Sequence, residues 1–394
     1  MRESPVGAST RLPFVLLPFH HTFSLPAPAT MGTAYSTSIN AQTWRCLPRG
    51  LGGARMQGRR ASMEDYDAHV HRFVNPDWDL LLCLDGHGGD ATAQLVSSIF
   101  ADTLASHLKH DSTVAEVQAA MELTFEEVDA KVIEMQKSTS DGSGACCVCA
   151  LITPTHFIVA FCGDCVAFVF RVNDDGTRVV RELTRDHEPH LPEEKARIEA
   201  AGNRVYMNEM GGSRIDGDLN VSRAFGDSIF KNSKPHRRMP RFDDEGLLVE
   251  PDPLLVLSHK TYAITAHPDI RVYERTEQDI MLLLGSDGLV DIRNGSVSDK
   301  RLVPDRLWEA VQLEGMNDPS RLGLLACDTS YTNGGADNMT ALLWTALPPA
   351  WAKPQSEQDT EWETYMAGRR ALLRKGERDL DEPDPFPKSH EELA

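Results

Sequence analysis

The sequence predicts an α+β fold built on antiparallel sheets, for two reasons. Short apolar runs follow one another with only turn residues between them, as in Cys147–Ile152, Phe157–Phe161 and Val166–Val172. Segments with apolar residues at helical spacing come in adjacent pairs, near residues 91–109 and 114–137. Hairpin-linked strands and grouped helices are typical of α+β proteins, whereas a parallel sheet needs strands and helices in alternation.

The first half of the chain contains the clearest strand-to-loop boundary. The apolar run Asp79–Leu84 stops at Asp85-Gly-His-Gly-Gly89, a pattern that indicates a buried strand ending in a tight loop. Asp90 then stands where it could cap the first helix, residues 91–109. We therefore expect the residues 85–89 to be exposed at the end of a fixed strand.

The second half of the chain contains a short helix and a second strand that ends in a loop. The helix is predicted at Glu193–Ala201, ending at Gly202. The run Ile280–Leu284 predicts another buried strand, which stops at Gly285-Ser-Asp-Gly288. Two helices near 304–314 and 318–330 and a closing strand at Met339–Thr345 complete the expected elements.

Composition divides the 394 residues into three parts. Residues 1–50 are rich in Pro, Ser and Thr and predict a disordered leader. Residues 51–347 form the folded region, and residues 348–394 predict an acidic tail that is partly helical or disordered. Hydrophobic residues make up 41% of the chain, enough for a substantial core.

Charge and cysteine usage narrow the class of protein. The net charge of −19 disfavours binding to nucleic acid. The eight cysteines form no evenly spaced disulfide framework, which predicts a reducing, cytoplasmic compartment, with the nucleus as an alternative. Cys162 and Cys165 have CxxC spacing, which leaves a zinc or redox role open beside the simpler interpretation of buried strand thiols.

Two features concern membranes. No apolar run approaches the roughly 20 residues that a spanning helix needs, so we expect no integral membrane segment. Met31-Gly-Thr-Ala-Tyr-Ser36 matches a myristoylation pattern, which would operate only if Gly32 became the first residue. One such chain would anchor the protein to a membrane weakly.

Carboxylates recur at predicted strand ends and turns, often beside glycine. A strand end fixes the backbone while the loop exposes the side chain, and glycine lets a ligand approach closely. Oxygen-only ligands suit Mg²⁺ or Mn²⁺, whereas zinc sites prefer His and Cys. The residues are Glu64, Asp65, Asp85, Asp164, Asp287 and Asp337.

The order of these motifs resembles the metal-dependent protein phosphatases, the PPM or type 2C serine/threonine family. The resemblance spans about 290 residues and implies two antiparallel sheets packed as a sandwich, helices outside in α-β-β-α layers, and metals at one end. The matching segments are Arg60–Asp65, Asp85–Gly89, Ser143-Gly144, Gly163-Asp164, Leu183–Pro189, Arg197-Ile198, Ala201-Gly202, Ser222–Asp227, His267–Ile270, Ser286–Asp291 and Asp337-Asn338.

The resemblance implies a two-metal hydrolase for phosphoserine and phosphothreonine in proteins. It implies that Asp85 bridges two Mg²⁺ or Mn²⁺ ions and that the Gly86 carbonyl binds one of them. Asp287 and Asp337 would complete the other metal. A hydroxide bridging the two metals would attack phosphorus directly.

The same resemblance assigns roles to five further residues. Glu64 and Asp65 would act near or through metal-bound waters, and Asp164 would support a third, looser ion. His87 would protonate the leaving group as general acid, and Arg60 would grip the phosphoryl oxygens. The expected partners are phosphoprotein substrates, and the expected working form is a single chain.

The sequence departs from the family pattern near the third metal. Cys146 stands where the family usually has threonine, and Val166 replaces an arginine. These changes leave open a silent relative that acts as a binding module. A thiol phosphatase is a second alternative, since Cys165 and Arg171 have C-x₅-R spacing, although the intervening residues predict a strand. Residues 228–267 carry a basic group of side chains that would form either a substrate-reading flap or a solvated loop.

Overall fold

The computed structural model describes residues 42–46, 50–208, 212–231, 241–242, 248–249, 261–294, 297–298, 300–346 and 355–376. Most of the predicted leader, with its Met31-Gly32 motif, lies outside the described residues. Most of the basic stretch 228–267 and the last 18 residues of the tail also lie outside them.

Two six-stranded antiparallel sheets form the centre of the described chain, which confirms the predicted fold class. The first sheet has the order β1-β2-β18-β15-β7-β8, and the second has β14-β6-β5-β4-β3 with β11 added beside β5. The strands of the first sheet are β1 Gln42–Cys46, β2 Leu51–Met56, β7 Val166–Val172, β8 Arg178–Glu182, β15 Asp279–Gly285 and β18 Met339–Thr345. Those of the second are β3 Tyr66–His71, β4 Asp79–His87, β5 Gly144–Ile152, β6 His156–Cys162, β11 Phe225–Gly226 and β14 Asp269–Glu274.

Three short hairpins complete the described strands. They are β9 Val205–Met207 with β10 Ser213–Ile215, β12 Arg241–Phe242 with β13 Leu248–Val249, and β16 Arg293–Asn294 with β17 Val297–Ser298. Strand β1 begins at Gln42, inside the segment that we expected to be a disordered leader. Residues 42–46 form a strand there because their backbone pairs with β2. The first sheet therefore starts before the predicted boundary at residue 51.

The described residues form six α-helices, of which all but α3 pack on the outer faces of the sheets. They are α1 Ala91–Ser106, α2 Val114–Thr139, α3 Pro192–Ala200, α4 Leu302–Gln312, α5 Pro319–Thr332 and α6 Gln355–Gly376. Helix α2 begins with a capping box, in which Thr113 and Glu116 satisfy each other's backbone amides. Asp90 precedes α1 as predicted but makes no side-chain cap; its carboxylate instead accepts a hydrogen bond from the Tyr66 hydroxyl at 3.0 Å.

Three hydrophobic clusters show the layering. One joins the two sheets, with Val148 and Phe157 of the second sheet beside Leu282 and Leu342 of the first. Another lies between the second sheet and helices α1 and α2. The third lies between the first sheet and helices α4, α5 and α6. The layers therefore follow the order helix, sheet, sheet, helix, as the resemblance implies.

Seven cysteines of the described chain are buried and form no disulfide bond. They are Cys83, Cys146, Cys147, Cys149, Cys162, Cys165 and Cys327. Cys162 belongs to the layer beneath the helices, whereas Cys165 belongs to the layer between the sheets. The two thiols of the CxxC motif thus point into different cores, which argues against a redox pair or a zinc site. Within the described residues, no helix is both long and apolar enough to cross a membrane.

Candidate metal and catalytic site

Three carboxylates from separate elements converge at one end of the sheets. Oxygen atoms of Asp85, Asp164 and Asp287 all lie within 4.8 Å of one another. Asp85 is near the end of β4, Asp164 lies in the turn between β6 and β7, and Asp287 begins a short 3-10 helix after β15. Because β4 belongs to one sheet and β7 and β15 to the other, the site forms where both sheets end.

This cluster is electrostatically unfavourable without a cation. Burial, followed by repulsion from Asp287, raises the pKa of Asp85 well above its usual range. Burial and repulsion from Asp164 do the same to the pKa of Asp287. Burial also raises the pKa of Asp164. A divalent cation among these oxygens would remove the repulsion and favour the ionised carboxylates.

Asp65 lies beside the cluster, and only one of its two carboxylate oxygens accepts hydrogen bonds. Its Oδ2 accepts hydrogen bonds from the Ser286 and Thr340 hydroxyls, both at 2.7 Å. Its Oδ1 is buried and has no hydrogen-bond partner among the described residues. The carboxyl group is only 1% exposed, and burial raises its pKa to about 7. A buried acceptor without a partner fits a hydrated cation, and the all-oxygen donor set fits Mg²⁺ or Mn²⁺.

Asn338 holds the loop that carries Glu64 against the cluster. Its side-chain oxygen accepts the Glu64 amide at 2.7 Å, and its amide group donates to the carbonyls of Gln57 at 2.7 Å and Ser62 at 2.9 Å. The Glu64 carboxylate accepts hydrogen bonds from the Ser62 hydroxyl at 2.8 Å and the Gly89 amide at 3.3 Å. Loops that are distant in sequence are thereby fixed together.

The loops around the carboxylates pack so closely that two positions have room only for glycine. A Cβ atom on Gly86 would lie 2.3 Å from the carbonyl oxygen of Glu64. A Cβ atom on Gly288 would lie 2.0 Å from the carbonyl oxygen of Asn338. Any larger residue would therefore force apart the loops that bring the carboxylates together.

The structure pairs Asp337 with Arg60. The guanidinium donates to Asp337 Oδ2 at 2.5 Å, while Oδ1 accepts the amide of Asn338 at 2.8 Å. Asp337 is also close enough to contribute to the raised pKa values of Asp287 and Asp65. It therefore lies at the cluster's edge, with Arg60 supplying a positive charge there.

The comparisons with known proteins decide the family. The family model described as protein phosphatase 2C matches residues 49–297, more than half of the chain. The chain belongs to the protein phosphatase 2C family. This confirms the family resemblance, and the relatives that the chain is similar to are named protein phosphatases. Asp337 lies beyond the matched range, yet the fold brings it to the site.

Two relatives illustrate the similarity. The chain is 30% identical over 316 residues to protein phosphatase ppm-1.A of Caenorhabditis elegans, covering 74% of this chain and 58% of that protein. It is 31% identical over 311 residues to protein phosphatase 2C 1 of Paramecium tetraurelia, covering 74% of this chain and 90% of the relative. The chain thus spans little more than half the length of the nematode protein.

Solved structures share the fold. A C. elegans sex determining protein superposes with a TM-score of 0.59 at 21% identity, covering 76% of this chain and 65% of that one. Serine-threonine phosphatase 2C from Toxoplasma gondii superposes with a TM-score of 0.57 at 21% identity, covering 80% and 98%.

In this phosphatase 2C chain, His87 has a carboxylate partner that sequence reasoning missed. His87 Nε2 lies 2.8 Å from Asp227 Oδ2. Burial lowers the pKa of His87, but the charge and hydrogen bond of Asp227 outweigh it, so the pKa is raised. Gly144 makes room for the pair, since a Cβ there would lie 2.1 Å from Asp227 Oδ2. The signal in the sequence that could have indicated Asp227 is its place at the end of the family segment Ser222–Asp227.

His187 is a second residue that the sequence did not single out. Its Nδ1 accepts the Gly163 amide at 3.1 Å, and its own amide donates to the Gly163 carbonyl at 3.0 Å. Both bonds fix the turn that carries Asp164. His187 belongs to the motif Leu183–Pro189, which matches the family. It lies 24 residues after Gly163, and no local sequence pattern indicates that the two residues are in contact.

The family departure at Cys146 lies directly against the cluster. Cys146 pairs with Asp85 across β4 and β5. Burial raises the pKa of Asp164, and the hydrogen bond from the Cys146 thiol offsets part of that rise. Burial raises the pKa of the Cys146 thiol well above its usual range. A neutral thiol therefore stands where the family usually provides a hydroxyl, and a thiol is the weaker donor.

The thiol phosphatase alternative is not supported by this geometry. Burial raises the pKa of Cys165 well above its usual range, so the thiolate nucleophile is disfavoured. Arg171, at the other end of the C-x₅-R spacing, lies on strand β7 and pairs with Asp279 at 3.4 Å. No phosphate-binding loop separates them.

Proposed function

We propose that this protein hydrolyses phosphoserine and phosphothreonine in other proteins with the aid of Mg²⁺ or Mn²⁺. The observation that carries the proposal is the convergence of Asp85, Asp164 and Asp287 beside the unpartnered buried oxygen of Asp65. Family membership supports metal-dependent phosphatase chemistry at this place.

The two ions would be held by Asp85, the Gly86 carbonyl, Asp287 and Asp337. When bound, they would neutralise developing charge and acidify water, so that hydroxide attacks phosphorus at neutral pH. The buried, mutually repelling carboxylates support this assignment, because they need cations to ionise.

Three further carboxylates would complete the cation sites. Glu64 and Asp65 would orient water around the ions, a role that the free Asp65 Oδ1 supports. Asp164 with Asp287 would hold a third, looser ion. The Cys146 thiol, which hydrogen-bonds to Asp164, would help to position that carboxylate.

Arg60 would bind the phosphoryl group of the substrate. Its side chain is 58% exposed and reaches the edge of the carboxylate cluster through Asp337. A planar guanidinium can donate two parallel hydrogen bonds to phosphoryl oxygens. Asp337 would hold the guanidinium at the mouth of the site until substrate arrives.

His87 would donate the proton to the departing serine or threonine oxygen. Since Nε2 is bonded to Asp227, Nδ1 is the nitrogen left for this transfer. Asp227 keeps the ring oriented and favours its protonated form, which is the form a general acid needs.

The deciding experiment measures phosphate release from a phosphothreonine peptide by the full chain, with Mn²⁺ or with EDTA. We expect activity that requires the metal and falls at least about a hundredfold in Asp287→Asn, because that change removes a metal carboxylate. A folded protein that releases no phosphate with either Mn²⁺ or Mg²⁺ would instead support the silent binding module.

The remaining expectations stay predictions from the sequence. They are the single-chain working form, the cytoplasmic localisation with the nucleus as alternative, and the weak membrane anchor through Gly32.

A further inference from the structure

A cleft of about 440 Å³ opens at the edge of the sandwich, away from the carboxylate cluster. It lies between β8, the last strand of the first sheet, and β14, the last strand of the second. These two strands are not paired with each other, so the space between the sheets reaches solvent there. Facing sheets pack about 10 Å apart, a gap that suits a flat ring.

The walls of the cleft combine apolar surface with two arginines. In the register of β7 and β8, Val169 lies opposite Arg181 and Arg171 lies opposite Val179, so all four share one face. Val169 belongs to the core between the sheets, which shows that this face points towards β14. From β14, Tyr273 stacks on Phe157 with the ring centroids 6.1 Å apart.

The two arginines differ in their freedom. Arg171 is held in place by Asp279 at 3.4 Å and by the Thr276 hydroxyl at 3.2 Å, and the Tyr273 hydroxyl donates to the same Asp279 at 2.7 Å. Arg181 is exposed and forms no ion pair within the part of the chain that the structure describes. Its guanidinium is therefore available to a ligand at the mouth of the cleft.

We infer that this cleft binds a small aromatic acid, with its ring between the valines and Tyr273 and its carboxylate on Arg181. The volume falls within the range typical of small-molecule sites. A planar carboxylate matches the two-pronged donor geometry of arginine. Glu274 on the opposite lip would repel a polyanion, so a monoanion fits this lining better than a nucleotide does.

The cleft is independent of the phosphatase chemistry. Arg171 follows Asp164 by seven residues, most of them in the extended strand β7, which corresponds to roughly 20 Å. A ligand in the cleft would therefore contact neither the carboxylate cluster nor His87. The inference does not depend on the proposed function.

The test is isothermal titration of the full chain with 2-naphthoate and, as a neutral control, 2-naphthamide. We expect 2-naphthoate to bind and 2-naphthamide to bind at least about tenfold more weakly, because it lacks the charge that faces Arg181. Arg181→Gln should weaken 2-naphthoate binding by about tenfold or more. The matched control is Arg178→Gln, which changes an exposed arginine of the same strand whose guanidinium faces Trp308.

Binding of 2-naphthoate that survives Arg181→Gln would overturn the inference. Equal weakening in Arg178→Gln would also overturn it, because the effect would then come from total charge. The inference would also be overturned if millimolar 2-naphthoate did not bind to the unchanged protein. Thermal unfolding, measured on the same samples, should give the same melting temperature for both variants and the unchanged protein, which shows that each variant is folded.

Discussion

At the scale of single residues, the site is defined by carboxylates that the protein buries at a considerable energetic disadvantage. The Asp-Gly motifs indicated Asp85 and Asp287 from the sequence, because a strand end followed by glycine has a recognisable local pattern. Asp227 and His187 could not be assigned in this way. Asp227 meets His87 across 140 residues, and only the folded chain shows that contact.

Asp65 gives a prediction about pH. Burial raises its pKa from 3.8 to about 7, so between these values the folded protein binds a proton that the unfolded chain releases. Stability without metal should therefore fall as pH rises from about 4 to 7, by at most about 4 kcal/mol from this group. Urea unfolding in EDTA across this range measures the slope.

The matched control for that experiment is Asp65→Asn. The amide does not titrate in this range, so the variant should show a shallower fall in stability between pH 4 and 7. An unchanged slope in the variant would assign the pH dependence to the other buried carboxylates, Asp85 and Asp287, and would remove Asp65 as a contributor.

His87 gives a prediction about leaving groups. A serine alkoxide is a poor leaving group and needs a proton, whereas an aryl oxide departs without one. His87→Ala should therefore slow phosphoserine peptides by about 10²–10⁴-fold and aryl phosphates much less. Comparison of kcat on the two substrates at saturating Mn²⁺ checks this, and equal losses would contradict the proton-donor role.

At the scale of elements, the C-terminal helix is more than a tail. The sequence predicted a partly helical tail but not its docking, since the helix contacts a partner far away in the chain. Arg369 of α6 pairs with Asp328 of α5 at 2.7 Å, both almost fully buried, and the Tyr365 hydroxyl bonds to the same carboxylate. Two residues further along α5, Ser330 donates to the Gly288 carbonyl at 2.7 Å, next to Asp287.

This buried pair predicts a large effect on stability. Arg369→Ala leaves Asp328 buried without its partner, and such a loss typically costs about 3–5 kcal/mol. Urea unfolding of the full chain measures it, with Glu357→Ala on the exposed side of α6 as the control. The triple change Arg369→Met, Asp328→Leu and Tyr365→Phe should recover most of the stability, because it also removes the hydroxyl that bonds to Asp328. A small effect of Arg369→Ala would show that α6 is not docked in solution.

At the scale of the whole molecule, the fold class followed from local periodicity, but the strand order did not. Hairpins such as β5–β6 join neighbours in sequence and could be predicted from turn residues. The pairing of β2 with β18 joins the two ends of the catalytic region and has no local signal. That pairing, together with β15 beside β18, is what brings Asp337 and Asp287 to the same end of the first sheet.

Because the site draws on both sheets, metal should stabilise the whole molecule. A cation that binds only the folded state adds about 2.7 kcal/mol at a hundred times its dissociation constant. We therefore expect Mn²⁺ to raise the melting temperature of the full chain and EDTA to reverse the change, at constant ionic strength. Asp85→Asn should abolish the Mn²⁺ effect and make the EDTA form more stable, since it removes repulsion with Asp287. A variant that is still stabilised by Mn²⁺ would place the cations elsewhere.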